Sequence, residues 1–324
     1  MNLPPLPTTR PLRVLSLAGG GFLGFYTAVL LQGLEERAAM PLGRCFDLMA
    51  GTSIGGVLAL ALAYEVPMSK MVGFFESQGP AVFSSRALPR NAVSQLLDLS
   101  RSVMGPKYSG RALRDALGAE FGSLTLADAL HRVIVPAVDV QLCQTKIFKT
   151  PHAAASVGDG DVTVVDVGCA ACAVPAYFPA VRIKGRLYAD GGLFAVAPDQ
   201  IALHELEHFM GANLADLSML SIGTAARHYR PTSQVEGNAG AVGWLSGGRL
   251  MLTILSVQQQ HVQAMIEDRL GARYMRLDAD WPPDAELGVD VVTPDAIEVL
   301  RGLAAKTLQE VSEADLADFL NPAG

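Results

Sequence analysis

One serine, in the run Ala50-Gly51-Thr52-Ser53-Ile54-Gly55-Gly56, constrains this chain more than any other residue. The run holds G-x-S-x-G. Before it, residues 45–51 (CFDLMAG) read as a short apolar strand. After it, residues 54–65 (IGGVLALALAYE) read as a helix apolar on nearly every face, hence buried. A strand that turns straight into a helix at G-x-S-x-G holds the serine hydroxyl on a sharp, exposed turn. Gly51 and Gly55 let strand and helix approach closely, and the positive end of the helix faces the reacting oxygen. Ser53 is the candidate nucleophile, and its weak hydroxyl needs a base.

The rest of the chain alternates in the same way. Strands are expected at residues 13–19, 132–140, 145–150, 162–167, 186–190, 217–223 and 273–278. Helices are expected at 25–39, 113–121, 199–210, 248–269 and 294–320. Alternating strands and helices predict an α/β fold with a mostly parallel central sheet. No internal repeat or linker divides the 324 residues. The reading is one domain over 13–310, a proline-rich tail over 1–12, and an insertion or lid over 79–106.

Half of the residues are hydrophobic, enough for a large core, and the net charge is −7. No basic stripe is present, which argues against a nucleic-acid polymer as partner. The N-terminal run MNLPPLPTTRPLR lacks the apolar stretch of a secretory signal, and the most apolar run, GVLALALAYEV, is too short to span a bilayer. A cytoplasmic protein is expected. Cys169 and Cys172 have C-x-x-C spacing without a second pair and read as small buried residues.

Two further turns bear on the serine. Gly19-Gly20-Gly21-Phe22-Leu23-Gly24 ends the first strand, where successive N–H groups can converge on an anion such as the oxyanion of acyl transfer. The same run matches G-x-G-x-x-G. However, the next strand leads into the serine turn rather than to the acidic residue of a dinucleotide site. Asp190 closes the strand RLYAD and begins Asp190-Gly191-Gly192, a turn that can present a carboxylate to a pocket. The histidines are His131, His152, His204, His208, His228 and His261. None sits in a glycine-rich turn, and His228 is the best placed for a Ser-His-Asp triad.

Taken in order, the glycine run, G-x-S-x-G and D-G-G resemble the patatin-like phospholipase family. CAACAVPAYFPAV, YSGRALRDALGAEFG and LSIGT look like segments of the same family. The resemblance implies a three-layer fold and a Ser–Asp dyad without histidine. It assigns Ser53 as nucleophile, Asp190 as base and Gly19, Gly20 and Gly21 as the oxyanion loop, with Gly51, Gly55, Gly191 and Gly192 supporting the turns. It implies membrane phospholipid as substrate, met peripherally at the inner membrane surface, and neither cofactor nor metal. The later segments APDQIALHELEHFMG and RYMRLDADWPPD are similar to a bacterial branch switched on by cyclic nucleotides in antiphage defence. That branch implies a cyclic dinucleotide activator, and a homo-oligomer is a further expectation. Two departures stand out: Leu23 where the family usually has a basic residue, and Val196 and Ala197 where it tends to have asparagine.

Rival readings remain open on the residues alone. A general carboxylesterase would use a Ser-His-Asp triad. His204-Glu205-Leu206-Glu207-His208 matches H-E-x-x-H, the zinc-peptidase pattern. A binding module on an inactive hydrolase fold would lack Ser53, Asp190 or the glycine run, and all three are present.

Overall fold

A computed structural model describes residues 10–83, 105–153, 158–229 and 248–320, with a few single positions near the N-terminus and in 240–244. Its frame is an eight-stranded sheet: β1 (Leu12–Leu17), β2 (Leu48–Gly51), β3 (Val133–Asp139), β4 (Gln144–Lys149), β5 (Val181–Ile183), β6 (Arg186–Asp190), β7 (Leu217–Ile222) and β8 (Tyr274–Leu277). Strands β3, β2, β1, β7 and β8 run parallel in that order, while β4, β5 and β6 pair antiparallel. The described helices are α1 (Gly24–Ala38), α2 (Ile54–Ala63), α3 (Met68–Val82), α4 (Arg111–Phe121), α5 (Val164–Ala171), α6 (Asp199–His204), α7 (Arg249–Leu270), α8 (Pro294–Glu310) and α9 (Glu313–Leu320).

The alternation of side chains along β1 builds the layers. Leu15 and Leu17 join a core with α1, α2, α3 and α8. Leu12 and Val14 point to the other face and pack with Leu203 of α6 and Ile266 and Leu270 of α7. A sheet covered on both faces needs strands apolar on both sides, as the run LRVLSL provides. Every residue of α2 is buried, as its uniformly apolar sequence requires. The expected three-layer α/β architecture is present.

Several elements differ from the sequence reading. Residues 162–167 (VTVVDV), expected as a strand, enter helix α5 instead. The Thr163 side chain caps that helix by accepting the Asp166 N–H at 3.1 Å, and Asp166 pairs with Arg114 of α4 at 2.8 Å. Capping and packing there override the strand preference of β-branched residues. Helix α3 went unrecognised, and its last turn, Gly79–Val82, occupies the start of the expected insertion. Residues 84–104 of that lid lie outside the described residues, including the expected helix face Val93, Leu96, Leu97, Ser100, Val103 and Met104, apolar apart from the serine, and so does half of the 1–12 tail.

Strand β3 has the topology that matters for function. Its Ile134 pairs with Ala50 near the end of β2, and its Ala137 pairs with Asp190 at the end of β6. Both partners sit on the edge of β3 opposite β4. Because β2 is parallel to β3 and β6 antiparallel, their C-terminal ends point at each other. Three residues of β3, about 10 Å, separate the two pairings. The turns carrying Ser53 and Asp190 meet in that gap.

Candidate active site

Ser53 takes φ 55° and ψ −128°, a left-handed conformation that a serine rarely adopts. The turn is forced by packing. A Cβ on Gly51 would lie 2.1 Å from the Gly55 carbonyl oxygen, and one on Gly55 would lie 2.4 Å from that of Leu17. Only glycines let β1, β2 and α2 converge so tightly, and the serine between them absorbs the strain. Thr52 anchors the turn, with its N–H on the Leu17 carbonyl at 3.1 Å and its hydroxyl on the Ala195 carbonyl at 2.7 Å.

Asp190 is 2% exposed. Its Oδ1 accepts the Gly192 N–H at 2.6 Å, while Oδ2 is buried without a formed hydrogen bond. Burial dominates and pushes this carboxyl up to about 7, against the opposing pull of the Ser53 hydroxyl and the Gly192 N–H. The Ser53 hydroxyl thus acts on Asp190 electrostatically, although its geometry falls short of a formed hydrogen bond. Cys172, at the end of α5, borders the same hydroxyl, and burial raises its thiol well above the ordinary range. A thiol so buried stays protonated and inert.

The glycine run lies across from Ser53. The Gly19 N–H is already donated to the Val196 carbonyl at 2.8 Å. The expectation of three donors is therefore corrected to two: Gly20 and Gly21 have N–H groups without a partner among the described residues. Gly21 has φ +58°, and a Cβ there would stand 2.1 Å from the Val289 carbonyl oxygen. Leu23, one of the two departures from the expected family pattern, is 1% exposed and packs in the core.

Ser53, Asp190 and the three glycines open on one cavity of about 190 Å³. Its walls are chiefly apolar, among them Phe74, Phe75, Phe83, Phe178, Met251 and Ile254. Helix α7, more than fifty residues beyond Asp190, supplies part of this wall, together with one amide side chain, Gln258. Sequence reading missed both. The only available signal was the apolar spacing of Met251, Ile254 and Leu255 broken by Gln258.

None of the six histidines lines the cavity. His228 is exposed and bonded to Asp280 at 2.9 Å, so the triad alternative loses its best member. The zinc-peptidase reading fails on geometry. Glu205 turns inward, to Lys149 Nζ at 2.6 Å and His152 Nε2 at 3.1 Å, while His204 and His208 are exposed with rings stacked 5.0 Å apart. The glutamate does not face the space before the two histidines, where it would have to act.

Comparisons with known proteins agree with this geometry. A family model described as patatin-like phospholipase matches residues 15–203. A Pseudomonas aeruginosa protein named cGAMP-activated phospholipase is 36% identical over 84% of this chain and 79% of its own length. Proteins of the same name from Vibrio cholerae (32% identical, covering 95% and 94%) and Escherichia coli (30% identical, covering 96% and 93%) are also similar. With a family model over more than half of its length and relatives aligned over nearly all of it, the chain belongs to the patatin-like phospholipase family and is a serine hydrolase of lipid acyl esters.

Proposed function

We propose that this protein cleaves carboxylic esters of membrane phospholipids through a Ser53–Asp190 dyad and an acyl-enzyme, under the control of a cyclic dinucleotide. The observation that carries the dyad is the strained Ser53 set against a buried Asp190, both opening on an apolar cavity without histidine. Asp190 takes the Ser53 proton as Oγ attacks the ester carbonyl. The Gly20 and Gly21 N–H groups hold the oxyanion. Collapse expels the lysophospholipid alkoxide, which takes the proton back from Asp190, and water then cleaves the acyl-enzyme by the same steps. A carboxyl poised near 7 suits a group that must both take and return a proton.

Apolar walls suit an acyl chain. Leu193, beside the Asp190 turn, lines the cavity and is 53% exposed, which supports peripheral contact of the mouth with a lipid surface. No helix among the described residues is long and apolar enough to cross a membrane. Action from the cytoplasm at the inner membrane surface fits this reading. The names of the Pseudomonas, Vibrio and Escherichia relatives support cGAMP or a close analogue as activator.

Purified protein on phospholipid vesicles, with and without cGAMP, tests the proposal by mass spectrometry of the lipids. Fatty acid and lysophospholipid should appear, at least tenfold faster with the nucleotide. Equal rates in both arms would remove the activator. Turnover of short esters alone would return the protein to the general carboxylesterases.

The raised carboxyl sets the pH dependence. Only ionised Asp190 can accept the serine proton, so kcat/KM should fall about tenfold per pH unit below about 7 and level off above it. A profile flat from pH 5.5 to 8.5 would contradict the assignment.

A further inference from the structure

Gln258 holds its place by a bond whose direction chemistry dictates. It sits on α7 and lines the cavity shared by Ser53 and Asp190. Its Oε1 accepts the Val196 N–H at 3.0 Å. A backbone N–H can be met only by an acceptor, so the amide cannot be reversed: the oxygen faces Val196 and the NH₂ faces away. That NH₂ group has no hydrogen-bond partner among the described residues and is not sealed from solvent. It is a fixed donor at the wall of a largely apolar cavity.

The anchor ties the site together. The Val196 carbonyl accepts the Gly19 N–H at 2.8 Å, and the neighbouring Ala195 carbonyl accepts the Thr52 hydroxyl at 2.7 Å. One short segment after the Asp190 turn therefore holds both the glycine run and the serine turn, and Gln258 holds that segment from α7. A donor mounted on this frame keeps a constant relation to the reacting atoms.

We propose that Gln258 is a specificity-determining residue: its Nε2 donates to an acceptor oxygen that a phospholipid carries beside the scissile ester, either the second acyl ester or the phosphodiester. The inference rests on the phospholipase reading of the same cavity. A simple aryl or alkyl ester offers neither oxygen. A site that holds a fixed donor for such an oxygen discriminates against substrates lacking it.

Two substitutions separate donation from support. Gln258→Glu keeps an acceptor for the Val196 N–H and removes the donor. Gln258→Met removes both at similar length. Each is assayed at pH 8.5, so that a new carboxylate near Asp190 does not limit the base, on a diacyl phospholipid, a lysophospholipid and p-nitrophenyl butyrate. Both variants should lower kcat/KM for the diacyl lipid at least tenfold more than for p-nitrophenyl butyrate. A penalty shared by diacyl and lysophospholipid identifies the phosphodiester as the acceptor. A penalty on the diacyl lipid alone identifies the second ester. Equal penalties on all three substrates, or a Gln258→Glu enzyme with wild-type selectivity, would overturn the role. A wild-type enzyme inactive on both lipids would instead overturn the reading of the site itself.

Discussion

Asp190→Asn is expected to abolish lipid hydrolysis and, above pH 7, to make the folded protein more stable. Asparagine can still accept the Gly192 N–H through Oδ1 but cannot take a proton from Ser53. Losing the only base should reduce kcat by about 10⁴-fold or more, as should Ser53→Ala, and the double variant should be little worse than either single one. The stability follows from linkage. Asp190 titrates near 7 in the folded protein against an ordinary 3.8, so folding favours its protonated form. Its contribution is most favourable below about pH 4, where both states are protonated, and is lost as pH rises to about 7. Above that, keeping the buried carboxylate ionised costs about 4 kcal/mol. Asparagine has no such cost. Thermal melts should therefore show the Asn variant ahead at pH 8, with the advantage shrinking towards pH 4. An advantage constant from pH 5 to 8 would mean the carboxyl is not raised. His228→Ala, assayed alongside, should stay within a few-fold of wild type.

The serine turn and the aspartate turn were legible because each sits where an apolar strand ends in glycines, and the strand preceding Ser53 leads into a helix that tolerates no polar face. Their meeting was not legible. It depends on β2 and β6 sharing one edge of β3, and register between segments more than a hundred residues apart leaves no local pattern. The inward turn of Glu205 was hidden for the same reason, since its partners Lys149 and His152 come from β4 and the chain just beyond it. In 162–167 the local pattern pointed the wrong way, because a threonine cap and a helix partner outweighed four valines and threonines in a row. The glycine run was legible as a turn at the end of the first strand. That Gly19 is already bonded required Val196 to be placed, and Val196 is one of the positions where the chain departs from the pattern of its family. The N–H of Val196 is met by Gln258 from α7.

Gly21→Val or Gly21→Ala should reduce turnover by about a hundredfold or more, the scale of losing one oxyanion donor. Two obstacles act together at this position. The positive φ strains any L side chain, and the Cβ meets the carbonyl oxygen of Val289 at 2.1 Å. That carbonyl also accepts the Phe22 N–H at 2.7 Å, so it cannot yield without pulling Phe22 from its place. The loop must move instead, and its N–H groups move with it. Gly20 differs in a way that makes a control. Its φ of 176° lies outside the left-handed region, and the nearest atoms to a Cβ there belong to the side chain of Thr224, with Oγ1 at 2.6 Å. Gly20→Ala should therefore also lose activity, but Thr224→Ala should recover part of it by removing the hydroxyl and methyl that crowd the new group. No single side-chain deletion should rescue Gly21→Ala, because its obstacle is main chain. The cycle is read as kcat on phospholipid vesicles, with melting temperatures to show that each variant is folded. A folded Gly21→Ala enzyme with wild-type kcat would remove the loop from the chemistry. Rescue at 20 without rescue at 21 would show that the obstacle is a side chain at 20 and main chain at 21.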